Sequence, residues 1–180
     1  MHTPIFALEA LELLWHNYHV LGENVDVHRM PSEKSIKYAK GDQRTLRALS
    51  IAAYLSNLGC FVSVWALWEL YSWELCSPLP IQRKGDSVKA TATCLAANGI
   101  PFPKREWFEK ASGLRNIIAH YSGRVSGEKA EKHFQNAKAV FDISTNAVGY
   151  VNVEHEHICD LYLNVEDFIK KTAEHYPEMS

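Results

Sequence analysis

Leu8, Leu11, Trp15 and Tyr18 recur at spacings of three and four, which predicts an amphipathic helix over residues 5–21. Thr3 and Pro4 supply a cap and a first-turn proline, and Gly22-Glu23-Asn24 closes the segment. A polar stretch follows to Asp42, broken by Pro31 and Gly41. From Asp42 to Cys76 the pattern predicts a long helix, with a candidate break at Asn57-Leu58-Gly59 and a stop at Ser77-Pro78-Leu79-Pro80. A third helix is expected over Asp86 to Ala97, ended by Asn98-Gly99 and the extended Ile100-Pro101-Phe102-Pro103. Lys104 to Tyr121 predicts a fourth helix, and Ser126 to Phe141 a fifth with Ser126 as its capping cue. Tyr150 to Val153 and Ile158 to Leu163 then read as two short strands, followed by a final helix from Val165 to His175. The expected fold is all-α. An antiparallel bundle of four or five helices fills residues 1–142, and a small C-terminal β-hairpin plus helix over 143–180 packs on it.

Composition supports a packed globule: 180 residues, 47% hydrophobic, with five tryptophans. Between Arg47 and Glu69 lie 21 residues without a charge, long enough to span a bilayer. Ser50, Ser56, Asn57, Gly59 and Ser63 interrupt that run, and Trp68-Glu69-Leu70-Tyr71 carries the helical pattern past the charge. A buried central helix is therefore expected, and no membrane. The four cysteines form no C-x-x-C pair, and the N-terminus shows no secretion signal, so a cytoplasmic protein with reduced thiols is expected.

A formal net charge of −2 excludes a strongly basic nucleic-acid coat. The stretch from Arg29 to Arg47 is the local exception, with six basic residues against two acidic ones, or +4. Lys34, Lys37, Tyr38, Lys40, Arg44 and Arg47 are its candidate RNA contacts, the tyrosine for stacking on a base. A solvated loop accounts for the same residues.

The chemistry concentrates in Leu114-Arg115-Asn116-Ile117-Ile118-Ala119-His120. Trp107, Ala111, Leu114 and Ile118 fall within roughly 60° of one another on a helix and mark its buried side. Asn116 and His120, four apart, share the opposite face, with Arg115 on the flank. Tyr121-Ser122-Gly123 places a glycine where a helix terminates, so His120 occupies the last turn. Arginine offers a planar fork of donors for phosphate oxygens, and histidine moves protons near neutrality. A polar trio turned away from the local core suits metal-independent phosphodiester cleavage. His120 exchanges protons with the 2′-hydroxyl or the 5′-oxygen, Arg115 stabilises phosphoryl charge, and Asn116 orients the imidazole or binds phosphate. Each residue also has a plain structural use: a terminal histidine caps a carbonyl, and an arginine bridges subunits.

Arg115 through His120, reading R-N-x-x-x-H, resembles the R-x4–6-H motif of HEPN domains, the higher eukaryotes and prokaryotes nucleotide-binding family. The resemblance is carried by residues 104–123 and is architectural over about 5–142. It implies a helical bundle and a homodimer whose two motifs form one composite cleft. It also implies ribonuclease activity in a toxin–antitoxin or anti-phage setting, without a cofactor and with an antitoxin protein as a possible partner. A non-catalytic HEPN module binding RNA or protein, or a structural helical dimer, is the alternative. The resemblance further implies an acidic residue on an earlier helix beside the motif arginine, for which Glu69 is the candidate and Glu74 the substitute. In one respect the chain departs from the family. Some members carry H-x-Y, whose tyrosine a partner nucleotidyltransferase modifies. Here Tyr121 follows His120 directly and Ser122 stands two beyond, which argues against such modification.

Other histidines carry less. Glu154-His155-Glu156-His157-Ile158-Cys159-Asp160 reads as an exposed strand rather than a zinc site, because no second ligand pair stands nearby. His16 and His19 lie on the first helix without a carboxylate partner, and no metal is expected.

Overall fold

The computed structural model describes residues 3–25 and 42–175. Among them are six α-helices: α1 (Thr3–Val25), α2 (Gln43–Cys76), α3 (Val88–Ala97), α4 (Arg105–Tyr121), α5 (Glu128–Lys138) and α6 (His155–Thr172), the last running into a 3-10 turn over Ala173–His175. The fold is an all-α bundle. Helix α2 is its axis and packs against α1, α3, α4 and α6, while α5 lies along α4. No break occurs at Asn57-Leu58-Gly59. Asn57 is buried and bonded, accepting from the Tyr18 hydroxyl at 3.1 Å and donating to the Val153 carbonyl at 2.8 Å, so its side chain does not compete with the helix.

Cross-links set the directions. Asn57 meets Val153 and Tyr71 meets Thr172 at 3.1 Å, so α2 and α6 run parallel. Arg115 meets Glu69, while Gly123 lies against Tyr54 and Leu58, so α4 runs antiparallel to α2. The core is one apolar cluster fed by all six helices, with Trp65, Trp68, Phe108 and Phe168 fully buried at its centre. The Trp68 and Phe108 rings stack at 4.9 Å. Aromatic burial of this kind contributes about 2–3 kcal/mol per ring. No helix among the described residues is long and apolar enough to cross a membrane.

Two sequence expectations are corrected at the C-terminal end. No β-hairpin forms among the described residues: Tyr150 and Val151 make only isolated bridges, to Arg124 and Thr145. Ile158 to Leu163 belongs to α6, which starts ten residues before the expected Val165. Ile158, Leu161, Val165, Phe168, Ile169 and Thr172 are buried at helical spacing, which rules out a two-residue period. Asn164, the apparent boundary, is accommodated inside the helix by donating to the Asp160 carbonyl at 2.6 Å. The histidine run is likewise helical rather than an exposed strand. His157 is buried, accepting from the Glu154 N–H at 2.9 Å and donating through Nε2 to the Asp142 carbonyl at 3.1 Å. Both ring nitrogens are thereby satisfied, and the histidine serves as a cap.

Helices α4 and α5 approach closely because residue 113 has no side chain. A Cβ on Gly113 would collide with the His133 carbonyl oxygen and lie 3.1 Å from the Ala137 nitrogen. The buried line of α4 is Phe108, Ala111, Leu114 and Ile117, with Trp107 and Ile118 half-buried at its edges. Against the expected stripe, the buried side of the helix is broader, with Phe108 flanking it on one side and Ile117 on the other.

Candidate functional site

The site forms on one side of α2, where α4 crosses it. Trp65 is buried, and its indole N–H donates to Glu69 Oε1, one turn on, at 2.9 Å. That bond fixes a carboxylate whose other contacts lie on α4. Arg115 NH2 stands 3.1 Å from Glu69 Oε1 and 3.3 Å from Oε2, an ion pair with both side chains about 30% exposed. The second guanidinium nitrogen, NH1, donates to Asn116 Oδ1 at 3.2 Å and faces His120 Nε2 at 3.4 Å. The structure thus joins Trp65, Glu69, Arg115, Asn116 and His120 in one polar chain running from the core to the surface. A guanidinium has no lone pair to offer, so the His120 contact requires an unprotonated Nε2 with the ring proton on Nδ1.

His120 is exposed in the last turn of α4. The helix ends in two left-handed residues, Ser122 at φ 50° and Gly123 at φ 80°, and the Gly123 N–H donates to the Ile117 carbonyl at 3.0 Å. The glycine was legible as a terminator, but the left-handed turn begins one residue earlier, on a serine. Gly123 is required for a second reason. A Cβ there would lie 2.5 Å from the Tyr54 hydroxyl, so Tyr54 closes over the turn that carries His120 to the surface.

Other expected residues fall elsewhere. Tyr121 is half-buried and its ring lies 6.3 Å from that of His133 on α5. Glu74 is half-buried, about 140° round the helix from Glu69, and makes no bond with Arg115, which Glu69 occupies. Arg44 is exposed in the first turn of α2, with its backbone N–H on Asp42 Oδ1 at 3.2 Å. By helical rise it stands roughly 37 Å along α2 from Glu69. Lys34, Lys37, Tyr38 and Lys40 lie outside the described residues, as does the side chain of Arg47.

One participant and one neighbour of the site were not anticipated. The first is Trp65, although its Trp-x-x-x-Glu spacing with Glu69 is the ordinary signal for a helical side-chain pair. The second is His133. Burial first, then the charges of His120 and Lys132, push its imidazole below the usual histidine range. Nothing local in the sequence announces it. It reaches the site only because α5 folds back along α4 over Gly113. Among the described residues, no group of three or more His, Cys, Asp or Glu side chains is arranged to hold a metal ion.

No family model matches the chain, and neither a curated protein nor a solved structure is detectably similar to it. The functional reading therefore rests on the site and on the motif.

Proposed function

We propose that this chain is a HEPN-type endoribonuclease that cleaves RNA without a metal, by attack of the 2′-hydroxyl on the adjacent phosphorus. The observation supporting this is the placement of Arg115, whose guanidinium is aimed by Glu69 on one side and reaches Asn116 and His120 on the other. In-line transfer needs a proton acceptor on the nucleophile, a donor for the leaving oxygen, and fixed positive charge on the phosphoryl oxygens. His120 Nε2, free of a proton when it faces Arg115, takes the 2′-hydroxyl proton. The 2′-oxygen–phosphorus bond forms and the phosphorus–5′-oxygen bond breaks, leaving a 2′,3′-cyclic phosphate and a 5′-hydroxyl. The leaving oxygen takes its proton from the histidine of a second copy, in the composite homodimer that the motif implies. Glu69 acts as a positioning residue, holding the fork of Arg115 in the orientation a phosphate needs.

The test is incubation of the purified protein with a mixed RNA pool in EDTA, wild type beside His120→Ala and Arg115→Ala. Cyclic-phosphate ends from wild type alone support the proposal. Equal cleavage by His120→Ala overturns it. A second reading is a non-catalytic HEPN module that binds RNA or a protein partner. It draws on the fact that Arg115 already has a carboxylate and a carboxamide partner. RNA retention without new ends from any variant would select it. Action as a toxin or in phage defence, restraint by an antitoxin and a cytoplasmic location belong to the same proposal.

A further inference from the structure

Helix α2 has a third face that, among the described residues, is used neither by the core nor by the site. Ala52, Leu55, Gly59, Ser63, Ala66, Leu70 and Trp73 form one exposed line along it, with Ile51 and Val62 at its edge. The line extends about 32 Å at 1.5 Å per residue. It lies opposite the buried Phe61, Val64, Trp68, Tyr71 and Leu75. Ile51, Leu55 and Leu70 are 55%, 59% and 55% exposed, and Trp73 remains 49% exposed although Arg83 covers one side of its ring at 5.5 Å. From Ala48 to Trp68 the helix carries no Asp, Glu, Lys or Arg. A solvated helix face normally carries charges, and an apolar line of this length marks an interaction surface.

The order of residues along the line identifies its occupant. Large side chains stand at both ends and small ones in the middle, and the sequence is nearly its own reverse about a point between Val62 and Ser63. Laid antiparallel on a second α2, Leu55 falls opposite Leu70, Gly59 opposite Ala66, Val62 opposite Ser63, and Ala52 opposite Trp73. Alanine faces tryptophan at the outermost pair, leucine faces leucine inside it, and small residues meet near the centre, where helix backbones must approach most closely. Among the described residues nothing lies within 4 Å of the Cβ position at Gly59, so that space is open to a neighbour. The exposed apolar surface amounts to several hundred Å² per copy, so a pair removes on the order of 1,000 Å² from water, the size at which specific interfaces begin.

We propose that this face of α2 is the surface on which a second copy of the chain docks, antiparallel, with a two-fold axis between Val62 and Ser63. The inference deepens the homodimer reading above by assigning its surface and register. It also has a consequence for the site. Glu69 lies about 70° round the helix from the centre of the line, and an antiparallel two-fold keeps that flank of both copies on one side. Arg115 stands beside Glu69, and Gly123 beside Tyr54 and Leu58, so His120 between them falls at the level of the axis. Both sites then open on the same face of the dimer, one on each side of the α2 seam.

Sedimentation equilibrium at tens of micromolar tests the surface without RNA. Wild type is expected at twice 20.5 kDa, and Leu55→Glu/Leu70→Glu at the single-chain mass with an unchanged circular dichroism spectrum. These positions are exposed, so charge there leaves the fold intact. Register is read by mild oxidation of Leu55→Cys and Leu70→Cys. A disulfide-linked dimer is expected when the two proteins are mixed and not from either alone. A monomeric wild type, a dimeric double variant, or self-linking of Leu55→Cys each overturns the proposal. A monomer that still cleaves RNA overturns this inference and the second-copy proton donor but leaves the ribonuclease reading standing, and a dimer of the stated register that cleaves nothing overturns the ribonuclease reading alone.

Discussion

Gly113→Ala is the smallest change that tests the packing beneath the site. The added methyl group collides with the His133 carbonyl oxygen, with the Ala137 nitrogen 3.1 Å and Asn136 Cβ 3.2 Å from the same point. The first two are backbone atoms of α5, so no side-chain rotation relieves the clash. The helices must part by about 1 Å, and overpacking against backbone atoms lies in the upper part of the usual range, about 2–3 kcal/mol. Alanine returns about 1 kcal/mol of helix propensity relative to glycine. The net is a loss of about 1–2 kcal/mol, because Ala130, Phe134 and Ala137 on α5 all lose contact with α4 together. At roughly 2–4 °C per kcal/mol for a chain of this size, Tm is expected to fall by about 2–8 °C in a reversible thermal melt followed by circular dichroism. An unchanged or raised Tm would refute the close approach of α4 and α5, since propensity alone would then have decided the sign.

Glu69→Ala removes the partner of Arg115 and the acceptor of Trp65. Because the pair is about 30% exposed, its loss should cost under about 1 kcal/mol in urea unfolding, while RNA cleavage falls on the order of tenfold as the guanidinium loses its aim. Asn57→Ala removes one acceptor from the Tyr18 hydroxyl and the side-chain donor to the Val153 carbonyl, and should cost about 1–3 kcal/mol by the same unfolding measurement. Burial, then the neighbouring Cys159, push the Cys60 thiol from 9.0 up to about 12. The folded state keeps the proton that the unfolded state releases, so the contribution to stability is complete below pH 9 and is lost as pH rises toward 12. Urea midpoints at about pH 8 and about pH 11 should differ less in Cys60→Ala than in wild type.

The extent of the fold that was readable follows local signals. Helices α1 to α5 were visible because their apolar positions keep a helical period and their ends carry Pro, Gly or Asn-Gly. Helix α6 was read as strands because Ile158-Cys159-Asp160-Leu161-Tyr162-Leu163 combines aliphatic and aromatic residues ahead of an asparagine. Only the tertiary core, which takes Ile158, Leu161 and Val165 together, distinguishes one helix from a strand and a helix. At the site, the motif itself was legible as a face of α4, and Glu69 was reached through family resemblance. His133 was not legible, since its proximity depends on the α4–α5 turn and on the missing side chain at Gly113. The exposed line on α2 was not located from sequence. An uncharged run of 21 residues reads as a helix buried on most sides, and no local pattern shows that one side stays open.

Helix α2 is continuous for 34 residues, and its three faces have separate duties. That continuity makes its length a fixed quantity. One residue inserted between Gly59 and Trp65 would turn everything beyond it by about 100°, rotating Trp65 and Trp68 out of the core, Glu69 away from Arg115, and Leu70 and Trp73 off the open line. Substitutions along this helix divide into separate classes according to the face they touch, whereas a single-codon insertion or deletion strikes all three faces at once. Length variation among natural or selected variants of this protein should therefore collect in the turns between helices and be missing from α2.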